Sequence, residues 1–210
     1  MNVMKVVVSY ISSLYDREET IKKINSTSAD GIHADLMDGK YVEVLNFDLD
    51  NPTKYIDKST KPLDIHLMVE SPSKYLNMLY TLEPLCIYIH PSTEEDSIRV
   101  LNDISSHNVM AAIAINPDEE ISKYKYLYPY VKRVLLMSVT PGYGGQKFMD
   151  ITTDRLQELK SYQEEYNFEI FIDGGINAET ISKVKDADGV VSGSFICKSE
   201  DYEKRIRILR

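Results

Sequence analysis

A chain of 210 residues with 33 acidic and 24 basic side chains carries a formal net charge of −9, and 43% of its residues are hydrophobic. That apolar content can offset the ordering entropy of folding, which excludes intrinsic disorder, and no uncharged apolar run approaches the roughly 18–20 residues of a membrane-spanning helix. The acidic balance speaks against nucleic-acid binding, which needs a basic face, but leaves small phosphorylated ligands open because backbone amides can hold them. Gly/Ser or Pro-rich linkers, low-complexity tracts and long charge blocks are all missing, so residues 1–210 read as one domain. The short Val6-Val7-Val8 run is too brief for a secretory signal. Cys86 and Cys197 lie far apart in apolar stretches, which predicts two reduced, buried thiols and a cytoplasmic protein.

Taken in chain order, short β-rich runs alternate with amphipathic stretches. A strand at 4–9, ending in Ser9, precedes a helix over 14–25, and a second strand covers 31–35. The weakest unit comes next, between Tyr41 and Lys61, where Asn51-Pro52 opens at most a short helix. A third strand at 63–67 leads to a helix over 72–81, with Ser71-Pro72 read as its start. Strands at 86–90 and 110–115 flank a helix over 93–106, and a sixth strand at 133–137 precedes a helix over 150–166. Strands at 169–173 and 189–192 flank a helix over 178–185, with Asn177 able to cap its free amides. Several of these strands are nearly all apolar, the pattern of strands buried on both faces of a parallel sheet. About eight strand–helix units predict a closed (β/α)8 TIM barrel, with a doubly wound open sheet as the alternative. The missing GxGxxG after the first strand weakens that alternative.

The polar residues fall at like positions. Ser9, His33 with Asp35, His66, His90 and Asp173 stand at or near the C-terminal ends of predicted strands, where a barrel gathers its active site. His33 and Asp35, two apart, share one face of their strand. A lone histidine at a strand end is usually a hydrogen-bonded structural residue, Asp38-Gly39 by itself is a turn, and methionines often fill gaps in a core. The coincidence of His33, Asp35, His66 and Asp173 points instead to a metal or catalytic site with mixed nitrogen and oxygen ligands. Glycine-bearing loops come after the last three strands, at Pro141-Gly142-Tyr143-Gly144-Gly145-Gln146, Asp173-Gly174-Gly175 and Gly193-Ser194. Glycines let backbone amides approach an anion closely, so three such loops beside a polar mouth predict a phosphorylated ligand.

The motifs resemble one family closely. His33-Ala34-Asp35-Leu36-Met37-Asp38-Gly39 is similar to the H-x-D-x-M-D-G signature of ribulose-phosphate 3-epimerases, and Asp64-Ile65-His66-Leu67-Met68 to their D-x-H-L-M strand. The run from Met137 to Gln146 resembles M-S-V-x-P-G-F/Y-G-G-Q, and Ile172-Asp173-Gly174-Gly175-Ile176 and Val191-Ser192-Gly193-Ser194 complete the set in order. Ser9-Tyr10-Ile11-Ser12 is a looser match to S-I-L-S. The resemblance implies a ribulose-phosphate-binding barrel that forms homo-oligomers. It also implies one divalent metal (Zn, Mn, Fe(II) or Co) held by His33, Asp35, His66 and Asp173, with Asp35 and Asp173 as paired acid and base. Ser9 and His66 would touch the sugar of a ketose phosphate, and Gly142, Gly144, Gly145, Gly174, Gly175, Gly193 and Ser194 would line its binding site, the phosphate end above all. Met37, Met68 and Met137 would line the reacting centre.

Three departures stand out: Tyr41-Val42-Glu43-Val44 replaces the usual F-V-P-N, Thr140 stands where Asn is common, and Tyr10 replaces an aliphatic residue. They leave the metal and acid–base set intact but open the choice of sugar, D-ribulose 5-phosphate or another ketose phosphate such as D-allulose 6-phosphate. Two further alternatives are a phosphosugar lyase and a non-catalytic phosphosugar-binding barrel. The related lyases usually employ a strand-borne lysine, which is not found at Asp35, His66 or Asp173.

Overall fold

Runs such as Val6-Val7-Val8, Val134-Leu135-Leu136 and Ile170-Phe171-Ile172 are apolar at successive positions, so neither face of such a strand can be left to water. The computed structural model describes residues 3–46 and 59–210, and there the chain meets this demand with eight parallel strands. They are β1 (Lys5–Ser9), β2 (Gly31–Met37), β3 (Leu63–Met68), β4 (Cys86–Ile89), β5 (Met110–Ile115), β6 (Arg133–Met137), β7 (Glu169–Asp173) and β8 (Gly189–Ser192). Each pairs with its sequence neighbour, and β1 also pairs with β8, so the sheet closes on itself as the barrel the alternation predicts, not the open sheet. Strands β2 and β3 run one or two residues beyond their predicted ends, and His90 lies just past β4. The segment at Asn51-Pro52 falls outside the described residues.

Because side chains alternate along each strand, the barrel separates two cores. Val6, Val8, Ile32, Ile65, Leu67 and Ile170 point outward and pack with the surrounding helices. Val7, Tyr88, Leu135, Phe171 and Val191 point inward and fill the cylinder. Cys86 and Cys197 are both free and buried, as the sequence predicts.

At the N-terminal ends of the strands the interior holds an ion network that sequence spacing does not reveal. Arg133 on β6 lies 3.0 and 3.1 Å from the two carboxylate oxygens of Asp64 on β3, with both side chains buried. Its Nε donates to Glu169 at 2.9 Å, Lys5 pairs with the same carboxylate, and the Tyr88 hydroxyl donates to Asp64 at 3.3 Å.

Six α-helices lie among the described residues: α1 (Arg17–Asn25), α2 (Leu76–Tyr80), α3 (Ser97–Ser106), α4 (Thr152–Tyr166), α5 (Ser194–Cys197) and α6 (Tyr202–Ile208). Asp16, Asp96 and Asp201 cap α1, α3 and α6 by accepting from backbone amides three residues on. Two expectations need correction. The helix expected over 178–185 is only a 3₁₀ turn at Ile181–Lys183, although Asn177 Oδ1 does accept from the Glu179 and Thr180 amides. Thr180, Ile181 and Val184 are β-branched and Val184 alone among them is fully buried, so neither propensity nor packing extends the turn. Ser71 makes no side-chain cap; it takes a left-handed conformation (φ 55°) ahead of a 3₁₀ turn at Pro72–Lys74, and α2 starts only at Leu76.

Candidate metal and acid–base site

The ends of the strands place the polar residues together. Strand register sets Ser9 beside His33, Asp35 beside His66 and Met137 beside Asp173. As the two-residue spacing predicts, His33 and Asp35 face the same interior. One ligand atom from each of His33, Asp35, His66 and Asp173 can be chosen so that all four lie within 4.8 Å of one another. His66 Nδ1 is 3.2 Å from Asp35 Oδ1 and 3.8 Å from Asp173 Oδ2, while His33 Nε2 is 3.5 and 4.0 Å from the same two oxygens. The Ser9 hydroxyl donates to Asp35 Oδ2 at 2.7 Å.

The two carboxylates sit in different fields. Burial alone would raise both. At Asp35 the imidazoles of His33 and His66 outweigh it and hold the group well below the usual carboxylate range. At Asp173, burial and the neighbouring Asp35 charge lift the pKa from 3.8 to about 7. Burial by itself would depress His33, but the Asp35 and Asp173 charges carry it up to about 9. His66 is pushed down by burial. In the cation-free cluster these environments hold one carboxylate ionised and the other protonated near neutrality.

The donor set fits a divalent cation. Among the described residues neither ring nitrogen of buried His33 has a hydrogen-bond partner, a cost that a cation at Nε2 would relieve for one of them. Two imidazoles and two carboxylates suit a borderline transition-metal ion, and the two negative charges neutralise it. Binding must displace the protons that His33 and Asp173 carry. Cation affinity is therefore expected to rise steeply between pH 6 and 7, where both groups hold protons, less steeply up to about 9, and then level off. Calorimetric titration in buffers of different ionisation heat reads the released protons directly; affinity independent of pH would remove these two residues from the ligand set.

Above the cluster opens a cleft. Met37, Met68 and Met137 line it, as do Ser9, Asp35, His66 and Asp173, and so do Gly142, Gly144, Gly145, Gly174, Gly175, Gly193 and Ser194. His33 lies beneath it, fully buried. Gly175 has φ 63°, and a Cβ there would meet Phe148 backbone at 2.5 Å, so this turn requires glycine for shape as well as for access. Gln146 donates to the carbonyls of Thr140 (2.6 Å) and Tyr143 (2.8 Å), which staples the glycine loop at the rim.

Two supporting residues escape a reading of the sequence, and a third, His90, is marked there only by its place at a strand end. Asn46 bridges the end of β2, donating to the Asp35 carbonyl at 2.9 Å and accepting from the Met37 amide at 2.8 Å. Ser138 donates to the carbonyls of Asp173 and Gly174 and fixes the turn after β7. His90 faces His66. The first two are amide or hydroxyl groups whose partners depend on tertiary register, with no local signature; His90 shows only its place beyond a strand.

The sequence profile of the family described as Ribulose-phosphate 3 epimerase matches residues 5–197. The chain is 40% identical over 215 aligned positions to the ribulose-phosphate 3-epimerase of Helicobacter pylori, covering 99% of this chain and 97% of that one. It is 33% identical to the Escherichia coli protein of the same name, covering 92% and 88%. Among solved structures, KGPDC from Streptococcus mutans superposes with a TM-score of 0.68 at 11% identity, covering 99% and 96%, a likeness of fold alone.

Proposed function

Because the chain belongs to the ribulose-phosphate 3-epimerase family, we propose that it inverts carbon 3 of a ketose phosphate, converting D-ribulose 5-phosphate to D-xylulose 5-phosphate. The observation that carries this reading is the meeting of Asp35 and Asp173, from strands on well-separated parts of the barrel wall, in one cluster with His33 and His66. Epimerisation removes a proton beside a carbonyl and returns one to the opposite face of a planar enediolate. One base cannot readily serve both faces, and two carboxylates on opposite sides can. Asp35 takes the proton on one face of the enediolate and Asp173 delivers one on the other, and the roles exchange in the reverse direction. His33, Asp35, His66 and Asp173 would hold a divalent cation, which would supply polarisation of the carbonyl oxygen at C2. The Ser9 hydroxyl orients Asp35 and contacts the sugar, as does His66. The three methionines keep water from the reacting carbon, and the glycine loops with Ser194 hold the phosphate by backbone donors.

The metal would be Zn, Mn, Fe(II) or Co. The protein would work in the cytoplasm as a homo-oligomer; among the described residues no helix is long and apolar enough to cross a membrane. Thr140, at the cleft, departs from the family pattern, which makes another ketose phosphate such as D-allulose 6-phosphate the second reading. Solvent deuterium wash-in at C3, run on both sugars with metal analysis of the same sample, separates them. Faster exchange into ribulose 5-phosphate is expected. Preference for allulose 6-phosphate would overturn the substrate assignment, and no exchange into either would overturn the reaction, in favour of a lyase or a binding protein.

A further inference from the structure

We propose that His90 is a positioning residue for the cation site: it accepts a hydrogen bond from His66 Nε2 and so keeps the His66 Nδ1 lone pair turned toward Asp35 and Asp173. This rests on the metal-dependent reading above. His66 Nδ1 faces the two carboxylates, and its other nitrogen, Nε2, lies 2.8 Å from His90 Nε2. A neutral imidazole carries one N–H and one lone pair, so two rings meeting nitrogen to nitrogen bond only when one donates and the other accepts. If Nδ1 is to hold a cation, the His66 proton must sit on Nε2, which makes His90 Nε2 the acceptor and leaves the His90 proton on Nδ1. Both rings are fully buried, so water cannot substitute.

The ring of His90 is held for this task. The backbone carbonyl of His90 accepts from the Thr93 amide at 3.0 Å and from the Thr93 hydroxyl at 2.9 Å, which fixes the main chain that carries the ring. The Tyr41 ring packs on it at 4.9 Å between centroids, and the Tyr41 hydroxyl is itself anchored by Asn116 at 2.7 Å. Among the described residues His90 Nδ1 has no partner, a buried group left unsatisfied while His66 is satisfied. An imidazole can take this bond without bringing a formal negative charge. A carboxylate in its place would add a negative charge beside two others, in a site meant for a phosphorylated sugar.

The test compares zinc affinity of chelator-stripped protein, measured by competition with a chromophoric chelator, for wild type, His90→Phe and His90→Gln. Loss of the acceptor in His90→Phe is expected to weaken zinc binding by about 10–100-fold. His90→Gln, whose amide oxygen can take the same bond, is expected to recover most of that loss. Wild-type affinity in His90→Phe would overturn the proposal. Should His90→Phe fail to fold, ¹⁵N-histidine NMR of the zinc-loaded wild type decides: protons on His66 Nε2 and His90 Nδ1 support it, and a proton on His90 Nε2 overturns it. Wild type that takes up no zinc, manganese, iron(II) or cobalt would overturn the cation reading first, and this inference with it.

Discussion

Asp173→Asn is expected to abolish net epimerisation, with loss of the proton transfer alone lowering kcat by about 10²–10⁴-fold, while the barrel stays folded. The variant should still exchange deuterium into C3 of one epimer, because Asp35 can remove and return a proton on its own face. Asp35→Asn should show the complementary pattern, with exchange confined to the other epimer. Turnover near wild type in either variant, or exchange into both epimers, would reject the two-carboxylate scheme. A stability signature accompanies the kinetic one. The folded state lifts the Asp173 pKa from 3.8 to about 7, so unfolding releases a proton between those values and the native state loses stability as pH rises through that window. In metal-stripped protein Asp173→Asn escapes that loss, and its stability relative to wild type should grow from about pH 4 to about pH 7 and then level. Denaturant midpoints across that range check it.

At the opposite end of the cylinder, Arg133→Met is expected to destabilise the fold by about 3–5 kcal/mol, because it leaves the buried Asp64 carboxylate without its cation. Glu169 would lose one of its two partners as well, although Lys5 remains beside it. Adding Asp64→Leu should restore most of the stability, since an apolar pair in place of a buried ion pair is often neutral or better. Guanidinium midpoints for the wild type, the single variant and the double variant measure this. A single variant within about 1 kcal/mol of wild type would show that the pair contributes little.

How much of the molecule is legible from its residues depends on which physical force sets each feature. Strands such as β6 and β7 are plain in the sequence because burial on both faces leaves an uninterrupted apolar run. Eight of them in alternation with helices, with polar residues at their ends, are enough to bring His33, Asp35, His66 and Asp173 together on paper. Helix extents are less legible. Asn177 announces a start, but residues 178–185 offer one buried apolar side chain and form a single turn. Conversely, the 3₁₀ stretch at Ile121–Tyr130 and helix α5 give no clear signal, since short apolar and aromatic segments carry weak periodicity, and α6 is only seven residues long. Least legible are pairings across the barrel. Arg133 and Asp64 are 69 residues apart, and Asn46 reaches back to Asp35 and Met37 by a loop whose shape no local pattern specifies.

The ion network around Arg133 and the imidazole–carboxylate cluster occupy opposite ends of the same strands, and this division has a consequence for change over evolutionary time. Strongly paired charges anchor one rim, so the other rim can tolerate crowded like charges and nitrogens lacking partners without endangering the whole scaffold. Exchanges at the exposed Thr140 and Tyr143, unlike exchanges at Gly142 and Gly145 with their positive φ, then alter the rim that meets the sugar at little thermodynamic risk.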